Sequence, residues 1–253
     1  MGKYNRLDQI MDYLKLHNLV TVEELVIATE ASPATIRRDL IKLDQHGVIS
    51  RTHGGVTLNR FIPSQPTTSE KIHKNFNEKQ LIADVAAKLI NPGDSIALDA
   101  GTTTLEIAKR ITQMPVRVIT SDLHIALFLS EFKQIEVTII GGKIDDSSQS
   151  CIGEHGRSLL LQINPDISFI SCNSWSLSKG VTAPTEDKAL IKAGFAEKAD
   201  KVVLVADSSK YNSYSLFTSI PLNRFTDIIT DNHLDTETLQ VLQNQIFKLH
   251  IAN

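Results

Sequence analysis

From Asn77 onward, short apolar runs typical of buried strands alternate with longer segments of helical periodicity. The predicted strands are 95–99, 117–120, 136–140, 167–171, 201–206, 227–230 and 246–250, and the predicted helices are 77–90, 103–111, 121–130, 185–199 and 236–243. This alternation constrains the fold, because neighbouring parallel strands need a crossover connection and a helix usually supplies it. The sequence therefore predicts an α/β domain over 77–253, with a mostly parallel sheet covered by helices.

Residues 3–58 have a different pattern, in which short helices come first. One apolar helix face is formed by side chains three or four residues apart, namely Leu7, Ile10, Met11 and Leu14. Thr21 and Glu24 have the spacing of a capping box, and Leu25 supplies the buried side of the helix that follows. Two short helices are therefore predicted at the beginning of the chain.

A third helix begins with Ser32, a favourable N-cap, and Pro33, whose missing N–H is not needed in the first turn. Its buried stripe is Ile36, Leu40 and Leu43. Gly47 fits the end of this helix, and Gly54-Gly55 predicts a hairpin turn after it. The strands on the two sides of that turn are 48–51 and 56–58. Three helices followed by a hairpin predict a winged helix-turn-helix, whose third helix enters the major groove of DNA.

The exposed face of the third helix carries small side chains at its beginning and an arginine pair after them, which suits close approach to base edges and phosphates. The DNA-binding residues that we predict on this helix, at the capping box and on the wing are Thr21, Ser32, Ala34, Thr35, Arg37, Arg38, Lys42, Arg51 and His53. The alternative is that Arg37 and Arg38 form a solvated helix face paired with Asp39 and Asp44. Asp39 itself is expected to orient an arginine or to cap a neighbouring helix.

The net charge of −3 is unevenly distributed along the chain. Residues 31–60 carry five lysines and arginines against two aspartates, a net charge of +3, whereas 61–253 carry −4. A basic segment at the predicted third helix and wing matches the phosphate backbone of DNA. The mild acidity of the whole chain argues against a general nucleic-acid coat protein or a polycationic membrane binder.

Residues 59–76 are polar and contain two prolines and a cluster of threonine and serine, and we predict a linker there. Two cysteines without a C-x-x-C motif indicate buried thiols in place of a disulfide framework, and the histidines have no metal-ligand spacing. No apolar run reaches the length of a membrane span, and the first residues lack the apolar core of a signal peptide. We therefore expect a soluble, cytoplasmic protein without a metal or cofactor.

Polar or glycine-rich loops follow four of the predicted strands, at the sheet edge where ligands bind in open α/β folds. The first of these loops, 99–104, offers backbone N–H groups at a helix start and three hydroxyls, which suit a phosphate or carboxylate. Alternatively, these hydroxyls are half-buried and only cap the helix. The effector-binding residues predicted from the four loops are Asp99, Gly101, Thr102, Thr103, Thr104, Ser121, Gly141, Gly142, Lys143, Asp207, Ser209 and Lys210.

The segment from Thr21 to Val56 resembles the DeoR family of bacterial transcriptional regulators through its Ser-x-x-Thr-x-Arg-Arg-Asp-Leu run at 32–40 and its Arg-x-x-Gly-Gly wing at 51–55. The resemblance continues over nearly the whole chain, with the D-x-G-T-T, G-G and D-x-S-K motifs matched at 99–103, 141–142 and 207–210. Ser208 stands where many members have histidine, which removes one titratable neighbour. Residues 171–175 and 182–188 resemble a YgbI-like subgroup associated with four-carbon sugar acids.

The resemblance implies a C-terminal sensor domain similar in fold to ribose-5-phosphate isomerase, which senses a phosphorylated sugar or a related metabolite. It adds Glu186 and Lys188 to the predicted effector site, although an exposed, charged helix start is an equal alternative for both. We therefore predict a repressor of a carbohydrate or sugar-acid catabolic operon. It would bind double-stranded operator DNA as a homo-oligomer, a dimer or a tetramer, and an effector would release it.

The alternative function is a sugar-phosphate isomerase or deaminase with an appended DNA-binding module, in which Lys210 and Asp207 act as an acid–base pair. Such an enzyme has no need of a winged helix, and the sequence offers no clear catalytic base with a positioned partner. We therefore predict a regulator without catalytic residues.

Overall fold

In the computed structural model, the chain divides into two compact units, Met1–Phe61 and Ile62–Asn253. The structure describes residues 6–17, 19–45, 49–52, 55–58, 61–62 and 64–253. The predicted helix end at Gly47, the strand start at Val48 and the wing residues His53 and Gly54 lie outside the described residues. No helix in the described part of the chain is both long and apolar enough to cross a membrane.

The first unit contains three helices, α1 (Arg6–Leu16), α2 (Val22–Thr29) and α3 (Pro33–Gln45). Each helix turns one apolar face into a common core, as the helical spacing predicts. The buried side chains that the three helices contribute are Ile10, Leu14, Leu25, Ile36, Leu40 and Leu43. The predicted capping box is confirmed, because the backbone N of Glu24 donates to Oγ1 of Thr21 and the backbone N of Thr21 donates to the Glu24 carboxylate.

The wing of the first unit is an antiparallel hairpin of β1 (Ile49–Thr52) and β2 (Gly55–Leu58). Two backbone hydrogen bonds of 2.9 and 2.8 Å between Val20 and Val56 join it to the segment between α1 and α2. Gly55 has a φ of 150°, and a Cβ on it would lie 2.5 Å from the carbonyl oxygen of Val20, so this position requires glycine. These elements confirm the predicted winged helix-turn-helix.

The second unit is built on a parallel sheet of seven strands. These strands are β3 (Ser95–Leu98), β4 (Val116–Thr120), β5 (Ile135–Ile139), β8 (Ile167–Ser171), β11 (Lys201–Val205), β13 (Asp227–Asp231) and β14 (Lys248–Ala252). Their order is β14-β13-β11-β8-β3-β4-β5, and the sequence predicts all seven. The last strand lies two residues later than predicted, because Phe247 is buried and pairing with Asp227 begins at Lys248.

Helices cover both faces of this sheet. One face carries α5 (Phe76–Ala87), α6 (Thr102–Arg110) and α7 (Leu123–Leu129), and the other carries α8 (Glu154–Leu160), α9 (Glu186–Glu197) and α10 (Thr236–Gln243). Side chains along a strand alternate between the two cores, so that Ile96 and Leu98 pack with α5, α6 and α7, while Ala97 packs on the other face. The predicted α/β domain is therefore confirmed.

Five short strands of the second unit are absent from the sequence prediction. They are the hairpin of β6 (Lys143–Asp145) and β7 (Ser150–Ile152), and the small antiparallel sheet of β9 (Trp175–Ser176), β10 (Gly180–Ala183) and β12 (Phe217–Ile220). Each contains only two to four residues, too few to establish a periodicity.

Part of the segment that the sequence predicts as a linker, 59–76, is folded in the second unit. Residues Thr68–Ile72 form α4, and α5 begins at Phe76. The start of α4 is a second capping box, in which the backbone N of Glu70 donates to Oγ1 of Thr67 and the backbone N of Thr67 donates to the Glu70 carboxylate. The prolines and hydroxyls around this box give the segment the composition of a linker, although the Thr67–Glu70 spacing is a helix signal.

Replacing Leu25 by alanine should lower the free energy of unfolding of the first unit by about 2–5 kcal/mol, because this side chain is fully buried in the core. Ile27 lies on the same helix but is 79% exposed, so Ile27→Ala should change that free energy by less than about 0.5 kcal/mol. Urea denaturation followed by circular dichroism measures both changes. Equal losses in the two variants would contradict the packing of α2.

Candidate DNA interface and ligand cavity

Hydroxyl groups close the first turn of α3. The backbone N of Thr35 donates to Oγ of Ser32 over 3.3 Å, and the Oγ of Ser32 and the Oγ1 of Thr35 are 2.8 Å apart. Thr21 is engaged in the same way at the start of α2. Three of the predicted DNA-binding residues therefore fix helix ends with their side chains.

The arginine pair of α3 is exposed, and neither Arg37 nor Arg38 forms an ion pair within the part of the chain that the structure describes. Asp39 is buried, and its Oδ2 accepts a hydrogen bond from Nε of Arg6 on α1 over 2.6 Å. The predicted alternative pairing of Asp39 with Arg37 and Arg38 is therefore wrong, because Asp39 orients an arginine of another helix. The solvated helix face remains the alternative for the arginine pair.

The remaining predicted DNA-binding residues are also at the surface where they are described. Ala34 and Lys42 are exposed on α3 and Arg51 is exposed on β1, whereas His53 lies outside the described residues. An exposed arginine pair on a helix that begins with small side chains can approach DNA closely and displace counterions from its phosphates.

A cavity lies at the carboxyl ends of β3, β8 and β11, where the strand order reverses. Its two lobes are partly open to solvent and share Lys71, Ala100 and Asn173. The residues predicted for effector binding that line it are Asp99, Gly101, Thr102, Thr103, Ser121, Lys188, Asp207 and Lys210. The lysines that line it are Lys71, Lys74, Lys79, Lys188, Lys192 and Lys210.

A buried ion pair joins the ends of β3 and β8. Nζ of Lys192, on α9, donates to Oδ2 of Asp99 and also to the carbonyl oxygen of Ser171 over 2.8 Å. The backbone N of Ser171 donates to the same carboxylate over 3.2 Å. Gly101 lies against this junction, since a Cβ on it would be 2.9 Å from Cβ of Ser171. A larger residue at this position would therefore displace the loop that opens α6.

The loop after β11 is organised around the buried carboxylate of Asp207. Its Oδ1 accepts hydrogen bonds from Nδ2 of Asn75 over 2.7 Å and from the backbone N of Ser209 over 3.2 Å. Nζ of Lys210 lies 4.0 Å from Oδ2, so this lysine keeps donors available for the first lobe. The exposed Ser209 contacts Asp207 and Asn75 and does not itself line the cavity.

Lys188 is fixed at the second lobe by three contacts. Its Nζ lies 2.8 Å from Oδ2 of Asp145, and it donates to Oγ of Ser147 over 2.8 Å and to Oε1 of Gln65 over 3.1 Å. Burial opposes the ionisation of Asp145, but the hydrogen bonds from Lys188, Ser147 and Ser148 outweigh it and lower the pKa of that carboxyl. The Asp145 carboxylate therefore stays charged beside the lysine.

Lys79 holds the chain between α4 and α5. Its Nζ donates to the backbone carbonyl oxygens of Lys71 and Lys74, each over 2.5 Å. The side chain is buried, and this burial lowers the pKa of its ammonium group. Lys79 therefore places the end of α4, with Lys71, at the cavity.

The ammonium group of Lys71 has neither a hydrogen bond nor an ion pair with any residue that the structure describes. Burial lowers its pKa to about 8, together with the like charges of Lys192, Lys188 and Lys210, while Asp122 acts in the opposite direction. The lining of the cavity thus carries more lysines than carboxylates. An arrangement of this kind can bind an anion.

Two buried groups of the cavity lining are not charged. Oγ of Ser121 has no hydrogen-bond partner among the described residues, so it is available to a polar ligand of the second lobe. Cys172 lines the first lobe as a free thiol, and burial raises its pKa to about 12. The prediction of two buried cysteines is confirmed.

The structure does not bring every predicted residue to the cavity. Thr104 is fully buried and caps the loop, with Oγ1 donating to the carbonyl oxygens of Asp99 and Gly101. Gly141, Gly142 and Lys143 are exposed where the β6–β7 hairpin begins, and Glu186 is exposed in the first turn of α9. The lining lysines absent from the sequence prediction are Lys71, Lys74, Lys79 and Lys192. Of these, Lys192 could have been predicted, because it lies four residues after Lys188 and hence on the same face of α9.

Two family models match the chain, a DeoR-like helix-turn-helix domain over 6–60 and a DeoR C terminal sensor domain over 74–232. The chain is 34% identical to YgbI of Escherichia coli strain K12, named as an uncharacterized HTH-type transcriptional regulator, over 96% of this chain and 95% of that one. It is 32% identical to a putative aga operon transcriptional repressor of Escherichia coli O157:H7, over 96% and 91% of the two chains. Both relatives are named as regulators and neither as an enzyme.

Among solved structures, ribose 5-phosphate isomerase A of Methanocaldococcus jannaschii is similar in fold. It matches 55% of each chain with 16% sequence identity and a TM-score of 0.41.

Replacing Lys71 by glutamine should make the ligand-free protein more stable at pH 7. The pKa of Lys71 is about 8 in the folded chain, against an ordinary value of 10.5, so below pH 8 the folded state holds an unfavourable charge. Between these two values the unfolded chain binds the extra proton, and the stability of the wild type rises with pH. The advantage of Lys71→Gln should therefore shrink from pH 8 to pH 10 in urea denaturation.

The control for this measurement is Lys88→Gln, which changes an exposed lysine at the end of α5. Its stability difference from the wild type should be small and independent of pH over the same range. A difference between Lys71→Gln and the wild type that stays constant from pH 7 to pH 10 would contradict the described surroundings of Lys71.

Proposed function

The chain belongs to the DeoR family of transcriptional regulators, and from this premise we propose that it binds operator DNA through α3 and the wing and releases it when an anionic effector fills the cavity. The observation that carries this proposal is the presence, in one chain, of an exposed arginine pair on the third helix and a cavity lined by six lysines. The helix-turn-helix domain supports DNA binding, and the sensor domain supports the binding of a small molecule.

The proposed DNA contacts come from the first turns of α3, its lysine and the wing. Arg37 and Arg38 reach guanine edges or phosphates, and the small side chain of Ala34 lets the helix approach the major groove. The residues proposed beside these three are Thr21, Ser32, Thr35, Lys42, Arg51 and His53. The caps at Thr21 and Ser32 occupy the backbone N–H groups of Glu24 and Thr35, and the other N–H groups of the two helix starts are the ones proposed to face phosphates.

Replacing Arg37 or Arg38 by alanine should weaken binding to a duplex from the operator by about tenfold or more, because each guanidinium supplies charge-assisted hydrogen bonds. The loss of a phosphate contact should also reduce the slope of affinity against salt by about one unit. Fluorescence anisotropy at several salt concentrations measures both quantities.

The matched control is Arg117→Ala, which removes an exposed arginine from β4 of the second unit and should leave DNA affinity unchanged. Circular dichroism shows whether each variant is folded. If Arg37→Ala and Arg38→Ala both bind the operator like the wild type, α3 is not the recognition helix.

The effector that we propose is a phosphorylated sugar or a related sugar acid. In the first lobe, the start of α6 at Thr102 and Thr103 and the ammonium groups of Lys79 and Lys210 suit a phosphate. In the second lobe, the hydroxyls of Ser121, Ser148 and Ser150 and the amide of Gln65 suit the hydroxyl groups of a sugar. The hydrogen bonds that Asp99 and Asp207 accept position the loops that carry these ligand-binding groups.

We further propose that the chain represses a carbohydrate or sugar-acid catabolic operon as a homo-oligomer, either a dimer or a tetramer. A relative that is named as an operon repressor supports the first part. The effector must bind the DNA-competent state and the released state with different affinities, because a ligand without this difference changes nothing.

A thermal-shift screen of phosphorylated sugars and sugar acids identifies the effector, because a ligand of the folded state raises the apparent stability. With that ligand, Lys210→Gln should keep DNA binding but lose most of the shift and of the release from DNA. Lys143→Gln is the matched comparison, since the structure places Lys143 on an exposed strand outside the cavity, and it should respond like the wild type. A normal response of Lys210→Gln would mean that the effector binds elsewhere.

A further inference from the structure

Residues 64–73, called the strap here, supply part of the cavity although they precede the sensor-domain match, which begins at residue 74. Gln65 and Lys71 of the strap line the second lobe, and Lys71 lines the first lobe as well. Along the chain, the strap is the segment that connects the first unit to the sensor domain. A ligand of the cavity would therefore lie against the connection itself.

Polar contacts hold the strap in place. The backbone N of Thr68 donates to the carbonyl oxygen of Ser147 over 2.9 Å, and its Oγ1 donates to that of Ser148 over 3.1 Å. Gln65 accepts the hydrogen bond from Lys188 described above. None of the residues of α4 is buried. The buried Lys79 also holds the end of α4 through the carbonyl oxygen of Lys71. An element held by polar contacts, with no buried side chain of its own, opens more easily than a packed one, so electrostatic forces can shift the strap.

The charges that face Lys71 act on α4 directly. Lys188 and Lys192 face it from α9 and Lys210 faces it from the loop after β11, whereas Asp122, ahead of α7, acts in the opposite direction. Each of these three lysines has a carboxylate within 4.0 Å, namely Asp145, Asp99 and Asp207, but Lys71 has none among the described residues. The Lys71 ammonium group is therefore the cation of the cavity lining whose charge is least compensated. An anion placed among the four lysines attracts this ammonium group.

We propose that Lys71 is an effector-binding residue supplied by the strap, and that a bound anion fastens α4 onto the cavity. This inference rests on the proposed function and adds how the cavity responds to its ligand. The ligand would bind the state with the fastened strap more tightly than the state with the loosened strap. Because the strap leads to the first unit along the chain, this difference would reach the DNA-binding unit. The lowered pKa of Lys71 agrees with this, since a lysine with a bound counter-ion would have an ordinary or raised value.

The test uses the full chain and inorganic phosphate at pH 7, compared with chloride at equal ionic strength. The variants are Lys71→Gln, Lys71→Arg and the exposed control Lys88→Gln. Thermal-shift titration gives the affinity for phosphate, and hydrogen exchange followed by mass spectrometry gives the protection of amides 67–73. Circular dichroism without phosphate shows that each variant is folded.

Phosphate should raise the melting temperature of the wild type beyond the effect of chloride and slow the exchange of amides 67–73. Lys71→Gln should weaken phosphate binding by about tenfold and abolish that protection, because a charge-assisted hydrogen bond is lost. Lys71→Arg should retain most of both effects, because it keeps the charge, and Lys88→Gln should match the wild type.

Two results would overturn the inference while the proposed function stands. One is that Lys71→Gln binds phosphate as tightly as the wild type and is released from DNA by the screened effector at the same concentration. The other is that phosphate binds to the wild type without protecting amides 67–73. If the wild type responds neither to phosphate nor to any of the phosphorylated sugars and sugar acids of the screen, the inference and the proposed function both fail.

Discussion

The parallel contact between β3 and β8 determines where this chain can bind a ligand. The strand order reverses at that contact, so the loops after the two strands separate and open a crevice. The Asp99–Lys192 pair crosses the junction, because Lys192 also binds the carbonyl oxygen of Ser171. Breaking a buried pair of this kind leaves an uncompensated charge, which is strongly destabilising. The start of α6, the end of β8 and the middle of α9 are thereby held in one arrangement, and the cavity depends on all three.

The sequence predicts the seven strands of the main sheet because each is an apolar run bounded by polar loops, and it predicts the first unit because capping boxes and helical spacing are local signals. It also predicts Asp99, Gly101, Asp207 and Lys210 at the cavity, since parallel strands end at the same sheet edge. It misses Lys71, Lys79 and Lys192, which have the pattern of solvated lysines in the sequence and reach the cavity only through the fold. Gly141 to Lys143 are predicted at the cavity but lie outside it, because β5 is an edge strand and the loop after it leads into β6, whose first residues are exposed.

Positive charge serves two different purposes in the two units. On α3 it is exposed and carried by arginine, whose planar group forms paired hydrogen bonds with bases and phosphates and always remains charged. In the cavity it is carried by lysines at different depths of burial, and the lysine pKa shifts readily when water is removed. The exposed arginines favour attraction to a polyanion, and the lysines of the cavity favour discrimination between a filled and an empty cavity.

Cys172 places a thiol in the wall of the first lobe, among several cationic side chains. Cations usually favour the thiolate, which is the form that oxidants and electrophiles attack. Here burial outweighs them and raises the pKa to about 12, so that the group remains a neutral thiol. The wall of the cavity therefore holds its sulfur atom in the form that oxidants attack poorly, although cationic side chains surround it.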